Sequence, residues 1–525
     1  MSRVAGTIGR AAIILVIFNI MSKLTALIRE MVTARQFGAT AETDAFFVAF
    51  TIPSVLFYLF TGALATVVVP VFSEYAAGGR EKEAWKLFGT LFNALLLLLG
   101  LGTLLGLAAA PLLVKLIAPG LAENSANLAA QLTRMMFPLL IFSGFAALFS
   151  GLLNANNIFA VTALNGPLSN IAVIIAILAL GSVWGVRGMA LGALVGGAAG
   201  AFVQLPALRR TGFQFRPGVP INHPDLKKIL KLIVPITIGI SVSETYILID
   251  RYLASGLAEG SISALNYALK LAQIPAGLFA TAIGTAVFPS FTRLAAVKEL
   301  SSLGAGVRRA LRLVTVVCVP AAVVLLVMRE QLVTLFYFRG AFDIKAVQMT
   351  AAALFFYSFG VAGLAGEFVL VRGFYSMQDT RTPVIISVIA VLVNLAFSLA
   401  LIGPLRHGGL ALANSIAALT SMTLLIIFLN RRLKELWVPE MWGFLALVIA
   451  AAAAMGGTIQ VINSWGGLAV PGGVLALIMR VCLEAAAGLI VYVLVLTAFG
   501  FEETRQLRDM IRRGLSRVRT GGGND

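Results

Sequence analysis

The sequence predicts an all-α polytopic membrane protein of fourteen transmembrane helices, built as two six-helix repeats, helices 1–6 and 7–12, with two extra helices at the C-terminal end. Three observations carry this expectation. Of the 525 residues, 59% are hydrophobic and 12% charged, whereas soluble domains are about 45–50% apolar. Apolar runs of about 20 residues, each long enough to cross a hydrocarbon core of about 30 Å, recur from Ile13 to Phe499. Segments of the first half also return in the second half at a fixed spacing.

Taken in order, the first run, 11–28, follows Arg3 and Arg10 and lacks a small-residue cleavage site, so it reads as a retained helix and not as a signal peptide. The second, 46–70, begins after a polar stretch that ends at Asp44, and the third, 88–117, follows the basic break of Arg80, Lys82 and Lys86. Helices 4, 5 and 6 are expected at 130–152, 160–181 and 187–206. Helices 7 to 12 are expected at 230–252, 264–288, 312–328, 348–370, 383–402 and 408–429, and helices 13 and 14 at 441–463 and 476–499. The domain plan that follows is an N-lobe 1–210, a cytoplasmic linker 211–229, a C-lobe 230–433, the added pair 434–500 and a basic cytoplasmic tail 501–525.

The repeat is weak but in register. Arg29, Asp44 and Pro53 return as Arg251, Asn266 and Pro275, each 222 residues on, and Gly188 at the head of helix 6 matches Gly409 at the head of helix 12. An even number of spans per copy gives both copies one orientation, and transporters of that design bind substrate between their halves and rock about it.

The net charge of +17 would elsewhere suggest nucleic acid, but its distribution points to a membrane. Lys and Arg number 27 in the termini and even-numbered gaps against 8 in the odd-numbered gaps. Basic residues concentrate in cytoplasmic loops, which places both termini in the cytoplasm. Cys318 and Cys482 match no disulfide or metal spacing and read as packing residues. With His223 and His407 the only histidines, a zinc or haem site has little to build on, and no phosphate-cradling loop for ATP occurs. No cofactor is expected.

A charge at the bilayer centre costs about 2.5–3.5 kcal/mol on insertion scales, so embedded ionisable residues are candidates for function. Lys23, Arg29, Asp44, Asp250, Arg251 and Lys270 fall in the first two helices of each repeat, which face the other half in such a design. The plainer alternative has Arg29 and Arg251 snorkelling to the interface and Asp44 capping helix 2. For Glu244, Glu367 and Glu484, structural pairing and function weigh equally.

The stretch from Ser22 through Lys23, Arg29 and Glu30, then Phe37-Gly-Ala, Thr43-Asp-Ala-Phe-Phe, Ile52-Pro and Pro70-Val-Phe-Ser-Glu, resembles the MurJ (MviN) lipid II flippases. So do the segment from Tyr267 through Lys270 to Pro275 and the segment from Phe374 to Pro383. The resemblance implies the fold of the multidrug/oligosaccharidyl-lipid/polysaccharide exporter superfamily. It also implies flipping of an undecaprenyl-diphosphate-linked peptidoglycan precursor in the bacterial inner membrane, with no bond made or broken. Its basic positions map onto Lys23, Arg29 and Lys270, with Asp44 as acidic partner; Lys23, Phe57, Thr61, Leu269 and Lys270 depart from the commoner family residues. In some relatives a sodium ion is held by an acid on helix 7 and an Asn-x-x-x-Asp pair on helix 11. Asp250 and Asn394 fit that pattern and Ser398 does not, so Na+ or H+ coupling and the membrane potential alone stand as alternatives. Expected partners are the polyprenyl-linked glycan, membrane lipids and cell-wall synthesis proteins. An exporter of another polyprenyl-linked glycan is the nearest alternative, and a drug/cation antiporter would favour carboxylates over this basic cluster.

Overall fold

The computed structural model describes residues 2–212, 224–433, 435–464 and 473–499. Lys434, His223, most of the linker 211–229 and the basic tail 501–525 lie outside the described residues. Among the described residues the secondary structure is helical, with no β-strand.

Each of the fourteen apolar segments is helical. The first three are α1 (Ser2–Phe37), α2 (Ala41–Ala77) and α3 (Glu81–Ile117). The fourth is split into α4 (Glu123–Met136) and α5 (Leu139–Ala155) at Pro138, which has no N–H to donate and crowds the preceding turn. The fifth is α6 (Phe159–Ala163) with α7 (Asn165–Trp184), and the sixth α8 (Val186–Phe202) with α9 (Leu205–Arg210). The seventh is α10 (Pro224–Ala254). The eighth is α11 (Ser261–Pro275), a π-helical turn at Ala276–Ala280 and α12 (Thr281–Ala296); the ladder changes register where Pro275 removes a donor. After α13 (Leu300–Val327) comes a short helix with no counterpart in the sequence expectation, α14 (Arg329–Tyr337). The tenth segment is α15 (Ile344–Ser358) and α16 (Val361–Ser376), bent by 46°. Then follow α17 (Arg381–Leu405), α18 (His407–Leu433), α19 (Glu440–Ser464) and α20 (Val474–Ala498). Among the described residues, 11 helical runs are long and apolar enough to cross a membrane, or 12 if α15 and α16 form one span.

The turns recur at the spacing of the sequence repeat. Gly79 and Lys298, just past α2 and α12, both have positive φ, and the next N–H donates back to Tyr75 in one case and Leu294 in the other. Asn157 and Gln378 do the same past α5 and α16, where Ile158 N–H bonds Leu153 O and Asp379 N–H bonds Phe374 O. These are the six-to-one bonds of a Schellman cap. The α7–α8 and α17–α18 hairpins each turn on one residue of positive φ, Gly185 and Arg406.

Packing divides the described residues into two compact units, those within 1–267 with 337–349, and those within 268–336 with 350–499. In the first, α2 packs on α5, α4 and α10, and α1 on α7. Phe72, Leu87, Phe88, Leu99 and Leu148 lie in its buried core. In the second, α16 packs on α13 and α18, and the α19–α20 hairpin lies on α13. A polar knot ties that pair down: Arg480 bonds Glu484 at 2.8 Å and Asn463 at 2.6 Å, and Gln331 of α14 donates to both Asn463 and Glu484. Glu484 is therefore a paired structural acid. Cys318 is buried as expected, but Cys482 is exposed on α20 and does not pack internally.

Candidate functional site

The first unit holds two polar networks on the helices that the sequence singled out. The first is a clasp among loops. Asp44, in the first turn of α2, is buried, and its carboxylate accepts from Gly260 N–H at 2.7 Å, from Ser263 N–H at 2.7 Å and from the Ser263 hydroxyl. Gly260 and Ser263 bracket the start of α11, whose first N–H groups have no partner within the helix. A carboxylate there is favoured by both charge-assisted hydrogen bonds and the helix dipole. Asp44 thus caps α11, not its own helix as the plainer reading held. The start of α2 is served instead by Thr40, whose hydroxyl accepts from Thr43 N–H at 3.4 Å.

Around this cap the same loops are stitched together. Tyr267 OH donates to Gly38 O at 3.2 Å, Tyr337 OH to Tyr267 O at 3.3 Å, and Ala341 N–H to Arg35 O at 2.8 Å. Tyr267, Tyr337 and Phe342 are buried against one another, with Phe47 edge-on to Tyr267 at 5.8 Å. Gly38 and Gly260 both have positive φ, 65° and 86°, and a Cβ on either would overlap a carbonyl oxygen, that of Ala341 or of Ala39. Only glycine permits this approach.

Arg251, at the end of α10, belongs to the same clasp. It is buried, with Nε on the Thr51 hydroxyl at 3.3 Å, Nη1 on Ile262 O at 3.4 Å, and its guanidinium 5.9 Å from the Phe47 ring centroid. It does not snorkel. The second network centres on Arg29 of α1, which donates to Glu30 Oε1 at 2.7 Å and to Asn170 Oδ1 of α7 at 3.1 Å. Asn170 in turn donates to Ser22 O and to the Thr25 hydroxyl, each at 3.2 Å, and Asn266 of α11 donates to Glu30 Oε2 at 3.4 Å. The Arg29 side chain keeps 25% exposure while that of Glu30 has 3%, so the guanidinium is oriented yet keeps an accessible face. Lys23, further back on α1, is exposed.

Asp250 is buried next to Arg251 on α10. The second unit holds Lys270, half-buried on α11, and the fully buried Asn394 and Ser398 of α17, whose side-chain polar atoms have no hydrogen-bond partner among the described residues. Among the described residues no group of three His, Cys, Asp or Glu could hold a metal.

Sequence reasoning missed Glu30, Asn170, Thr51, Gly260 and Ser263. Glu30 and Asn170 carried a signal, an acid beside Arg29 and a lone amide in an apolar helix; the partners of Asp44 did not, because all three of its donors are backbone or hydroxyl groups.

The family model described as lipid II flippase MurJ matches residues 33–479. The chain belongs to the MurJ lipid II flippase family. A lipid II flippase MurJ from Burkholderia cenocepacia is 31% identical over 500 residues, covering 92% of this chain and 96% of that protein. A Vibrio cholerae protein described as a probable lipid II flippase MurJ is 31% identical over 469 residues, 86% of this chain and 88% of its own. A solved lipid II flippase MurJ in an inward closed conformation shares the fold, with a TM-score of 0.80 and 24% identity over 95% of this chain and all of that one. An inward-facing multidrug transporter of the MATE family shares it at 0.71 and 14% identity, over 81% of this chain and 98% of that one. The chain is accordingly a multi-pass transporter of the bacterial inner membrane and not an enzyme. Asp44, Asp250, Arg251, Lys270 and Asn394 lie within the span the family model matches, while Lys23 and Arg29 precede it.

Proposed function

We propose that the chain flips lipid II, an undecaprenyl-diphosphate-linked peptidoglycan precursor, from the inner to the outer leaflet by alternating access. The observation that carries this reading is membership of the flippase family over residues 33–479. The physics agrees with it. A lipid-linked diphosphate presents charges that hydrocarbon does not admit, while its polyprenyl tail stays in the bilayer, so a cationic face solves the transport problem without chemistry. Lys23, Arg29, Arg251 and Lys270, with Asp44, are the binding set in this proposal. Within this set the proposal gives Arg29 the headgroup, and the hydrogen bonds of Asp44 and Arg251 support a role in holding the clasp.

The proposal retains fourteen spans with both termini in the cytoplasm, two six-helix lobes, 1–210 and 230–433, the linker 211–229, the added pair 434–500 and the tail 501–525. The recurring caps at Gly79 and Lys298, Asn157 and Gln378, and Gly185 and Arg406 support the two-copy reading. In that orientation the loops that carry Gly38, Gly260 and Ala341 are extracytoplasmic, so the clasp closes the outer side and must open once per cycle.

The driving force proposed is the membrane potential, with Na+ or H+ at Asp250 and Asn394 as the alternative. Lys23, Arg29, Arg251 and Lys270 against Asp44 and Asp250 sum to about +2, and Glu30 lowers this to about +1 at ordinary protonation. The empty site is then drawn inward by about 2.3 kcal/mol per 100 mV for that one charge. Expression in a bacterium depleted of its own flippase tests the function directly. Growth is expected with the wild-type chain and absent with the Lys23→Ala/Lys270→Ala double variant at equal membrane abundance. Failure of the wild type to rescue, or full rescue by the double variant, refutes the substrate or the site respectively.

A further inference from the structure

The first unit has a second feature that the transport site does not use. A cleft of about 430 Å3 lies between α3, α5, α8 and α9, walled by Phe92, Phe142, Phe145, Phe149 and Phe202, with Arg209 in its lining. Its rings are ordered: Phe92 stacks on Phe145 at 4.5 Å, and Phe145 on Phe149 at 6.1 Å. Phe202 is 57% exposed within an apolar helical run long enough to span a bilayer, so the cleft opens on a surface suited to hydrocarbon. Arg209 is exposed, in the last turn of α9, and its side chain makes no hydrogen bond or ion pair among the described residues. Further cations stand at this end of the helices. Trp85 and Thr211 line one small neighbouring pocket, and beside them are Lys86 and Arg210, both exposed.

We propose that this cleft is a binding site for one anionic phospholipid, with an acyl chain between the phenylalanine rings and the phosphate on Arg209. The volume falls in the range of small-molecule sites, about 300–1,000 Å3. An apolar void facing lipid fills with a chain, which gains contact with five aromatic walls. Basic pockets between helices at a membrane surface select anionic headgroups, and an unpaired guanidinium binds phosphate through paired N–H groups. Charge complementarity therefore selects an anionic over a zwitterionic lipid. The occupant assigned is a phospholipid, and undecaprenyl phosphate is the competing outcome that the test separates.

The test uses the purified full chain in nanodiscs that contain phosphatidylglycerol, phosphatidylcholine or undecaprenyl phosphate. Retained lipid is counted by native mass spectrometry, and the contact is mapped with a phosphatidylglycerol that carries a diazirine in its acyl chain. Wild type should retain phosphatidylglycerol and crosslink on α5 and α8. Arg209→Gln should weaken retention about fivefold, the expected effect of one cation near an anionic headgroup, and Arg209→Lys should restore most of it. Ala201→Phe, which fills the cleft, should abolish the crosslink; because Arg209 is exposed, its variants report even if the filled variant fails to fold. Equal retention of phosphatidylcholine, no effect of Arg209→Gln, or crosslinks elsewhere would overturn the proposal. Preferential retention of undecaprenyl phosphate would overturn the choice of occupant. None of these readouts depends on transport, so they stand apart from the outcome of the growth assay.

Discussion

Removal of the Asp44 carboxylate should open the clasp. Asp44 accepts two backbone N–H bonds of 2.7 Å and one from the Ser263 hydroxyl. Each bond to a charged group is worth about 1.5–3 kcal/mol when both partners stay buried. When the clasp opens, however, water replaces the lost partners, so about 1 kcal/mol per bond is the appropriate share. Asp44→Ala should then shift the equilibrium by about 3 kcal/mol, which is ~100-fold in the population of the open form. Asp44→Asn, which keeps a neutral acceptor, should shift it by about tenfold. The reporter is Ser261→Cys. Ser261 has 1% exposure, and its hydroxyl has no hydrogen-bond partner among the described residues, so the thiol loses nothing and reacts only when the loop lifts. With Cys482, the exposed thiol, replaced by alanine, maleimide labelling of residue 261 is read by peptide mass in purified protein. A labelling rate that changes less than twofold in Asp44→Ala would refute the capping argument.

Other expectations follow from the same geometry. Gly260→Ala should mimic Asp44→Ala in the labelling assay, because its Cβ overlaps Ala39 O and φ of 86° strains any other residue; wild-type labelling in this variant would remove glycine from the account. Arg29→Lys keeps the charge but loses the fork that spans Glu30 and Asn170, so transport in the growth assay should fall at least tenfold with membrane abundance unchanged. Partial burial pushes the Asp379 carboxyl up, but the Thr382 hydroxyl, the Thr382 and Arg381 N–H groups and Arg432 outweigh it and hold the carboxyl below its usual range. Such a group contributes stability that is present above about pH 4 and is lost as the pH falls through the folded value. Between pH 5 and 2, therefore, the melting temperature of wild type should fall more steeply than that of Asp379→Asn, and parallel curves would show that the pair is inert. An introduced thiol at Ser464, at the end of α19, should react with an impermeant reagent from outside the cell; protection there would reverse the orientation proposed above.

Much of the fold was legible because membrane helices announce themselves. Every expected apolar segment is helical, since a backbone in hydrocarbon satisfies its hydrogen bonds within the segment and twenty apolar residues leave no other choice. The breaks were less legible. Pro138 splits the fourth segment while Pro111 sits inside α3 without ending it, and only the neighbouring helices decide which proline is absorbed. The short α14 escaped notice because nine residues of mixed polarity carry no period long enough to read.

For the candidate residues, the sequence by itself determined which charges are costly enough to matter. Arg29, Asp44 and Arg251 stand out because an ionised group in an apolar helix needs a partner or a role. It also determined the repeat, and with it the positions where turns of the same hand recur. The tertiary structure alone decided what each charge does. Asp44 meets the start of α11 across 216 residues of chain, Arg251 meets Thr51 across 200, and Arg29 meets Asn170 across 141. Their donors and acceptors are main-chain groups, hydroxyls and an amide, which every sequence has in abundance. Periodicity reports which face of a helix is apolar, because that depends on neighbours one turn away. The partner of a buried charge depends on which loops fold against each other, and that is settled only when the helices pack.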